Sequence, residues 1–485
     1  MSNKVVTRFA PSPTGFLHIG GVRTALFAYL WAKKNGGQFI LRIEDTDKKR
    51  EVAGSIEQIM RSLSWLGISW EYGPDKPSPD FGSCLQSERL ATYKSYAERL
   101  VEKGLAYPDT RSAEELDALR DKAQAEGRPF LVREHRPKEF ETWDGQSTLR
   151  FKVSELKRYT WHDVVRGQLS AGEEALDDFI IMKADGFPTY NFAHIIDDLE
   201  MGVTHIFRTD EFISSTPKFL SLYEALEIKH PIFTTLPPIM GPDGKKKLSK
   251  RDGAKDTLDY AKDGYLPSAL CNFLALIGWN PGGEQELFFT EDELASVFSL
   301  EKIQRSGGAF NEEKLRWMNS EHLKQLGREA QTAYVTKGLP DSVTTAPQYS
   351  DERLARAVPV IIERIHNLVE LRELFAAGEF DWLFKEPSYD PELLKWKNDD
   401  SVHAAKSRLQ HVLGLLETTD FSSPEAVKNA LWGYAEEIGR GEVLWPLRVA
   451  LSGKERSPDP FMCAYILGPE ETQKRVATAC AKIAG

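Results

Sequence analysis

A short segment near the N-terminus combines residue types that could bind a phosphate chain. Between Arg8 and Gly21 the sequence reads RFAPSPTGFLHIGG, in which prolines fix the backbone and glycines leave it free. Three glycines, Gly15, Gly20 and Gly21, would let backbone N–H groups approach an anion. A helix beginning here would add about half a positive charge, and His18 could donate a hydrogen bond. A tight turn around a buried histidine would use the same residues, so both interpretations stay open.

A second segment concentrates positive charge. Residues 244–255, GKKKLSKRDGAK, contain six cationic side chains and one anionic side chain, whereas the whole chain has 62 Lys and Arg, 73 Asp and Glu, and a formal charge of −11. Lysines such as Lys247 and Lys250 on a glycine-bounded loop suit a leaving pyrophosphate, whose negative charge grows in the transition state. A lone lysine run is ordinarily a solvated loop. Because one chain contains two loops suited to phosphate, a catalytic role is favoured over a solvated loop.

The elements around the first segment are those of a nucleotide-binding βαβ unit. The pattern predicts a strand at 5–9, a helix from about 21 to 34, an Asn-Gly-Gly turn at 35–37 and a strand at 39–43. Such a start is typical of a doubly wound α/β sheet. Strand-like sequence returns at 178–183 and 205–208, which predicts that the first sheet resumes after an insertion.

Helical patterns occupy much of the remaining chain. A Pro-rich break at 74–79 precedes helical sequence at 88–103 and 112–126, the second of which begins with the Ser112 and Glu115 spacing of a capping box. From residue 258 onward helices dominate, and they are predicted at 267–277, 301–303, 312–317, 351–375, 391–416 and 424–437. The C-terminal third is therefore predicted to be all-α.

Composition excludes several classes of protein. A chain of 485 residues that is 41% hydrophobic and 28% charged can form about three domain cores, and its negative charge excludes nucleic-acid binding driven by overall basicity. The apolar run 269–279 is too short to span a bilayer, and we expect neither a membrane span nor a signal peptide. The cysteines lie too far apart for a disulfide framework or a thiolate metal site, which favours a reducing cytoplasm. They are Cys84, Cys271, Cys463 and Cys480.

Together these segments resemble bacterial-type glutamyl-tRNA synthetases, a family of class I aminoacyl-tRNA synthetases. The resemblance spans nearly the whole chain and is carried, in order, by 8–21, RIEDTD at 42–47, PTYNFA at 188–193, IIDD at 195–198, MGVT at 201–204, KLSKR at 247–251, KLRWMN at 314–319 and PLRVALSG at 446–453. Residues 18–21 and 247–251 resemble the two signature motifs of the class. Gly21 stands where many class I enzymes have a second histidine, as is usual in this subfamily.

The resemblance implies an α/β Rossmann-type catalytic domain with an α+β insertion, followed by an all-α anticodon-binding region. The catalytic domain would comprise 1–80 and 190–250, and the insertion at 81–189 would bind the acceptor stem. A helical stem-contact domain would occupy 251–330, and an anticodon-binding region of two subdomains would occupy 331–485.

The implied activity is glutamate–tRNA ligation. ATP would activate L-glutamate to glutamyl-adenylate, and the glutamyl group would pass to the 3′-terminal adenosine of tRNA(Glu). No protein nucleophile is needed, so positioning and charge stabilisation would provide catalysis. The expected catalytic residues are His18, Lys247 and Lys250. ATP would contact Gly15, His18, Gly20, Gly21 and Lys250, and Mg²⁺ would accompany ATP without a dedicated protein cage.

A glutamate pocket needs two cationic donors and one anionic acceptor. By resemblance Arg8 would bind the side-chain carboxylate, and Arg208 would bind the α-carboxylate. Glu44 with Ser12 would hold the ammonium group, and Tyr190 would line the pocket. Taken alone, Arg8 and Glu44 could equally form an ordinary cross-strand ion pair.

The sequence departs from the family pattern at several positions. His194 stands where a small polar residue is common in the family. The residues TDEF at 209–212 also differ from the sequence usual in the family. We assign no function to either. PDTR at 108–111 replaces the Cys-x-Cys zinc ligands of many members, and no structural zinc is expected.

In discriminating members of the family an arginine of the first anticodon helix domain tolerates cytosine as the final anticodon base but not guanine. A guanidinium can donate to the acceptors of cytosine but clashes with the donors of guanine. Its nearest match is Arg364, with Arg353, Arg356 and Arg372 as alternatives, and a solvated helix arginine is the competing interpretation. We expect a discriminating enzyme.

The expected partners are tRNA(Glu), ATP and L-glutamate, and the enzyme is expected to be a cytoplasmic monomer without a membrane partner. One alternative is a non-discriminating synthetase that also charges tRNA(Gln). A small-molecule adenylyltransferase on the same scaffold, or a truncated paralogue that modifies a tRNA base, would not need the C-terminal helices. A non-catalytic RNA-binding protein would not need His18, Lys247 and Lys250.

Overall fold

The computed structural model describes residues 4–248 and 255–483. They divide into two compact units. The first unit comprises Met1–Lys262 and Pro267–Leu315, and the second comprises Asp263–Leu266 and Arg316–Gly485. In the part of the chain that is described, no helix is long and apolar enough to cross a membrane.

The strands of the described residues all belong to the first unit. They are β1 Val6–Phe9, β2 Gln38–Leu41, β3 Ala106–Pro108, β4 Leu149–Phe151, β5 Tyr159–Asp163, β6 Gly167–Ala171, β7 Phe179–Met182, β8 His205–Thr209, β9 Ile232–Leu236, β10 Ile239–Met240 and β11 Gly308–Ala309. Six of them form one sheet in the order β2-β1-β8-β9-β5-β6. Its neighbours are parallel except for the antiparallel pair β5 and β6. A three-stranded antiparallel sheet has the order β3-β4-β7, and β10 pairs with β11.

Helices flank the strands of the first unit and make up the second. Those that begin in the first unit are α1 Ile19–Lys34, α2 Ser55–Trp65, α3 Leu90–Glu102, α4 Ala113–Ala125, α5 Tyr190–Glu200, α6 Thr216–Ala225, α7 Thr257–Asp263, α8 Pro267–Leu276, α9 Glu291–Val297 and α10 Glu312–Gln325. Those of the second unit are α11 Arg328–Gly338, α12 Asp341–Thr344, α13 Asp351–Ile362, α14 Leu368–Ala376, α15 Asp381–Phe384, α16 His403–Leu416, α17 Pro424–Ile438, α18 Arg440–Ser452, α19 Pro460–Leu467 and α20 Pro469–Lys482. The predicted Rossmann-type sheet followed by an all-α region is confirmed.

The predicted N-terminal βαβ unit is also confirmed. Strands β1 and β2 pair in parallel, with Arg8 opposite Ile40, and α1 connects them. The turn after α1 needs both of its glycines. Gly36 adopts a positive φ of 56°, and a Cβ on Gly37 would collide with the carbonyl oxygen of Val5.

Strand β1 marks the point where the sheet changes its winding direction. Its neighbour on one side, β2, follows it through α1, whereas its neighbour on the other side, β8, comes much later in the chain. In open α/β sheets such a switch point opens a crevice at the carboxyl ends of the strands, where ligands bind.

One expectation about the sheets is wrong. The segment 178–183 was predicted to resume the first sheet, but its strand β7 pairs with β4, with Phe151 opposite Phe179. Strands β5 and β6, which precede it, extend the first sheet instead. A short apolar run identifies a strand but does not specify its partner, which explains the error. The segment 205–208 does join β1, as predicted.

Local signals located helix starts better than helix breaks. The capping box of Ser112 and Glu115 is present at α4, and Ser423 caps α17. The helix predicted at 351–375 is divided, because the Asn367 side chain accepts a hydrogen bond from the N–H of Glu370 and starts α14 anew. The α-helix predicted at 391–416 likewise begins only at His403. Asp399, in the segment before it, forms an ion pair with Arg408 of the helix.

Candidate active site

A cavity of about 570 Å³ lies at the carboxyl ends of β1, β2 and β8. This is the switch point of the sheet, where the topology predicts a ligand. The first turn of α1 forms one wall, and the chain after β8 forms another. The predicted site residues that line the cavity are Arg8, Ser12, His18, Gly20, Gly21, Glu44, Tyr190, Arg208 and Lys247.

Three predicted site residues are not among the lining residues. Gly15 lies in the loop before α1 and does not line the cavity. Lys250 lies outside the described residues. Arg364 belongs to the second unit.

His18 caps the helix whose N-terminus faces the cavity. Its Nδ1 accepts a hydrogen bond from the backbone N–H of Gly20 at 3.1 Å, so the neutral ring carries its proton on Nε2. The first turn of α1 contains no acidic side chain, which leaves its positive end suited to an anion. A Cβ on Gly20 would lie 2.9 Å from the ring carbon Cε1 of His18, and a Cβ on Gly21 would lie 2.7 Å from Leu17. Glycine at both positions therefore preserves this loop.

Arg8 is held by an acidic residue from α5. Its Nε donates to Asp198 Oδ1 at 2.9 Å and its Nη2 donates to Asp198 Oδ2 at 3.3 Å. The remaining terminal nitrogen, Nη1, lies 3.5 Å from the carbonyl oxygen of Phe207. The Arg8 to Glu44 ion pair considered from sequence is not formed, because Asp198 takes Arg8 and Arg42 takes Glu44.

Beneath the cavity lies a buried charge network that the sequence did not reveal. Arg42 contacts Asp198 at 2.7 Å, Glu44 at 3.1 Å and Asp197 at 3.7 Å. Arg89 also donates to Asp197. Three carboxylates thus face Arg8, Arg42 and Arg89. The available signal is the pair of aspartates that directly follows Ile195 and Ile196, and both acids are buried.

Burial and ion pairing shift the pKa values of the carboxyl groups in this network in opposite directions. For Glu44, burial raises the pKa to about 7, and it outweighs the lowering effect of Arg42 and Arg8. Burial would also raise the pKa of Asp198, but Arg8 and Arg42 overcome it and lower that pKa to about 2. Asp198 is therefore a fixed anion, whereas Glu44 changes its charge near neutral pH.

Arg208 is a buried cation without a carboxylate. Within the described part of the chain it forms no ion pair, and its one hydrogen bond runs from Nη2 to Thr216 Oγ1 at 2.7 Å. Its Nε is buried without a partner. The guanidinium lies 4.6 Å from the ring centre of Phe233 and 5.7 Å from that of Phe219, and burial lowers its pKa. Such a group is suited to an anionic ligand.

Three further cations border the cavity, and they are Arg23, Arg50 and Lys247. Arg50 lies 2.6 Å from Asp47. Arg23 donates to the carbonyl oxygens of Pro237 and Ile277, and burial lowers its pKa to about 10. It ties α1 to the segment that leads into β10. Lys247 is exposed and lies 3.1 Å from Glu211. The sequence did not single out Arg23, because nothing in the pattern of α1 distinguishes a buried arginine from a solvated one.

Among the described residues, no group of three or more His, Cys, Asp or Glu side chains could hold a metal ion. In the segment 108–111, Asp109 is instead occupied by arginines. It accepts hydrogen bonds from Arg111 and Arg150.

The candidate anticodon arginines differ in their hydrogen bonds and in their exposure. Arg353 donates to the carbonyl oxygens of Gln348, Leu383 and Leu467. Arg356 donates to the carbonyl oxygen of Tyr465 and to Glu352. The side chain of Arg364 is 38% exposed, with Glu379 at 3.7 Å, and Arg372 is exposed. Of the four candidates, Arg364 and Arg372 are exposed, whereas Arg353 and Arg356 are partly buried.

Comparison with known proteins defines the class to which this fold and cavity belong. A family model described as class I tRNA synthetases (E and Q), catalytic domain, matches residues 4–317. One described as an anticodon binding domain matches residues 322–480. The chain belongs to the class I tRNA synthetases of this E and Q family.

Within this family, the chain is similar over its whole length to glutamate–tRNA ligases. A glutamate–tRNA ligase from Dehalococcoides mccartyi is 38% identical over 492 residues, covering 100% of this chain and 99% of the relative. One from Clostridium botulinum is 40% identical over 497 residues, with the same coverage. The crystal structure of a glutamate tRNA ligase from Elizabethkingia meningosepticum in complex with its amino acid has a TM-score of 0.83 and 34% identity, and 99% of each chain is covered. The glutamate–tRNA synthetase of Elizabethkingia anophelis has a TM-score of 0.81 and 33% identity, covering 99% of this chain and 100% of that one.

Proposed function

We propose that this chain is a glutamate–tRNA ligase, which forms glutamyl-adenylate from L-glutamate and ATP and transfers the glutamyl group to the 3′-terminal adenosine of tRNA(Glu). The observation that carries the proposal is one cavity in which Arg8 and Arg208 lie near Glu44, beside the N-terminus of α1. A dicarboxylic amino acid needs two cations and one anion. The full-length match to glutamate–tRNA ligases supports the same substrate.

In the first step a glutamate α-carboxylate oxygen attacks the α-phosphorus of ATP, and pyrophosphate leaves. In the second step the 2′-hydroxyl of the terminal adenosine attacks the activated carbonyl carbon, and AMP leaves. His18 Nε2–H and the N-terminus of α1 would stabilise the phosphate charge, and Lys247 would exchange Glu211 for the departing pyrophosphate. Lys250, outside the described residues, would act with Lys247.

Each end of glutamate has a matching group. Nη1 of Arg8 and the second N–H of its Nη2 would bind the side-chain carboxylate, because Asp198 already holds Nε and the first N–H of Nη2. Arg208 would bind the α-carboxylate, and ionised Glu44 with Ser12 would hold the ammonium group, with Tyr190 alongside. Gly15, Gly20 and Gly21 would shape the loop that accepts ATP, and Mg²⁺ would be held chiefly by phosphate oxygens and water.

The tRNA partner would be read by the C-terminal region, with Arg364 selecting tRNA(Glu) over tRNA(Gln). The four domains would have the boundaries 1–80 with 190–250, 81–189, 251–330 and 331–485. We also propose that the chain works as a cytoplasmic monomer and folds without structural zinc. Its four cysteines are buried free thiols, and Asp109 is paired with arginines. Metal analysis of dialysed protein should find less than one zinc per chain.

The test is a charging assay with purified protein, ATP, total tRNA and single amino acids. Glutamate should be attached to tRNA, whereas aspartate and glutamine should not, and sequencing of the charged fraction should identify tRNA(Glu). The Arg208→Gln variant should keep its ATP requirement but need far more glutamate. Adenylate formation from glutamate without any tRNA charging would instead favour a small-molecule adenylyltransferase. Equal charging of tRNA(Glu) and tRNA(Gln) would favour a non-discriminating enzyme.

A further inference from the structure

Below the glutamate pocket an aromatic cluster connects two of its walls. His194 on α5 stacks on Tyr190, one helical turn earlier, with ring centres 4.6 Å apart and planes 13° apart. The other neighbour of His194 is Phe219 on α6, which it meets edge to face at 4.6 Å. Residues four apart on a helix lie on the same face, so His194 supports the Tyr190 ring from within the fold.

The same cluster reaches Arg208. Phe219 lies under the Arg208 guanidinium, and Thr216, also on α6, accepts the hydrogen bond from Arg208 Nη2. The imidazole is thus packed between Tyr190 of the cavity wall and the phenyl ring that supports Arg208. Tyr190 and Arg208 line the cavity, but His194 does not.

The protonation of His194 fits a supporting role. Its Nδ1 lies 2.6 Å from the carbonyl oxygen of Tyr190, and since a carbonyl only accepts, the proton resides on Nδ1. Burial lowers the pKa of His194 to about 3. The charged groups that act on it are Asp198 on its own helix and Arg8 and Arg42 from the neighbouring strand region. A neutral ring adds no cation beside the arginines.

We propose that His194 is a positioning residue that fixes the Tyr190 ring and, through Phe219, the Arg208 guanidinium, and so sets the affinity for the α-carboxylate end of glutamate. This inference rests on the proposed function. Its ring supplies the support through two aromatic contacts, so a side chain of similar length without a ring should not replace it.

Two substitutions separate the ring from the polar group. His194→Gln keeps a side-chain donor but removes the ring, and His194→Phe keeps the ring but removes the donor. In tRNA glutamylation assays His194→Gln should raise the KM for glutamate about tenfold, as expected for losing two aromatic contacts. Its kcat and its KM for ATP should stay within about threefold of wild type. His194→Phe should restore most of the glutamate affinity.

His205→Gln is a matched control. His205 lies on the same strand as Arg208, is buried, and packs edge to face against Trp31, but it does not line the cavity. Its replacement should lower stability without changing the KM for glutamate. Thermal unfolding of all variants checks that they are folded.

The outcomes are distinguishable. The inference is overturned by an unchanged glutamate KM in His194→Gln, by an equal rise in the KM for ATP, or by failure of both His194 variants to fold while the His205 control folds. A wild-type protein that does not glutamylate tRNA would overturn the proposed function itself. If the wild-type protein glutamylates tRNA and the His194 variants have its KM for glutamate, only the positioning role of His194 is contradicted.

Discussion

Arg8 and Arg208 lie in one cavity, yet of the two only Arg8 has a carboxylate partner among the described residues. Asp198 accepts from Nε and from one N–H of Nη2 of Arg8, so a ligand would meet Nη1 and the second N–H of Nη2. Arg208 is instead supported by aromatic rings and a threonine hydroxyl. A buried cation without an anion costs free energy, and a bound carboxylate would recover it. This is the physical reason for the proposal that Arg208 binds the α-carboxylate of glutamate.

Glutamate use should weaken as the pH falls below neutrality. In the proposed pocket the ammonium group of glutamate pairs with ionised Glu44, whose pKa is raised to about 7 by burial. Below that pH the carboxyl group is protonated, so kcat/KM for glutamate should fall up to tenfold per pH unit, and above it the value should level off. The measurement is kcat/KM between about pH 6 and pH 8, with Glu44→Gln as a control that lacks this inflection. A flat wild-type profile would contradict the role of Glu44.

His18 caps α1 and has a proposed catalytic role, and substitution can separate the two. His18→Ala should lower adenylate formation by about two to three orders of magnitude, the usual loss for one transition-state donor, and should lose about 1 kcal/mol of stability with its helix cap. His18→Asn should keep the cap, because asparagine is a good N-cap residue, and should lose activity to a similar extent. Glutamylation rates and thermal unfolding measure the two effects. Near-normal activity in His18→Asn would reduce His18 to a capping residue.

At the scale of elements, the sequence predicted those features that neighbouring residues determine. The glycine turn after α1, the cap of Ser112 and Glu115, and the cap of Ser423 depend on a few adjacent residues and are confirmed. The pairing of β7 with β4 and of Arg42 with Asp198 joins distant segments. A single sequence carries no signal for such pairing. Motifs were therefore enough to name nine of the residues that line the cavity, whereas they did not reveal the charge network beside it.

Gly37 offers a test of the turn between α1 and β2. Gly37→Ala should destabilise the protein by about 2 kcal/mol, because the new methyl group would collide with the Val5 carbonyl oxygen. Gly414→Ala is the control. Gly414 lies in α16 with no atom within 4 Å of an added Cβ, so its replacement should stabilise by about 0.5 kcal/mol. Denaturant unfolding followed by tryptophan fluorescence measures both, and equal shifts would contradict the steric argument.

At the scale of the whole molecule, the cavity and the candidate anticodon residue belong to different units. Arg364→Gln should relax the preference for tRNA(Glu) over tRNA(Gln) by about tenfold, because a guanidinium donates to O2 and N3 of cytosine but meets the N1–H and N2–H donors on the pairing edge of guanine. Relative kcat/KM for the two tRNAs is the measurement. Arg353→Gln should reduce stability instead, since Arg353 donates to three backbone carbonyls. A shift in preference with Arg372→Gln alone would assign the role to Arg372.

The pairing of β1 with β8 has a consequence for biosynthesis. Thr7 lies opposite His205, so β1 waits for nearly 200 further residues before its second neighbour exists. At about 5 to 20 residues per second, the delay is on the order of 10 to 40 seconds. During that time an apolar strand edge is open to chaperones and to other nascent chains. Ribosome-bound chains arrested after Val203 should therefore be cleaved readily by protease near β1, whereas chains extended beyond Leu315 should resist. Equal resistance would mean that the βαβ unit is protected on its own, and that the enzyme is guarded from the first moments of its synthesis.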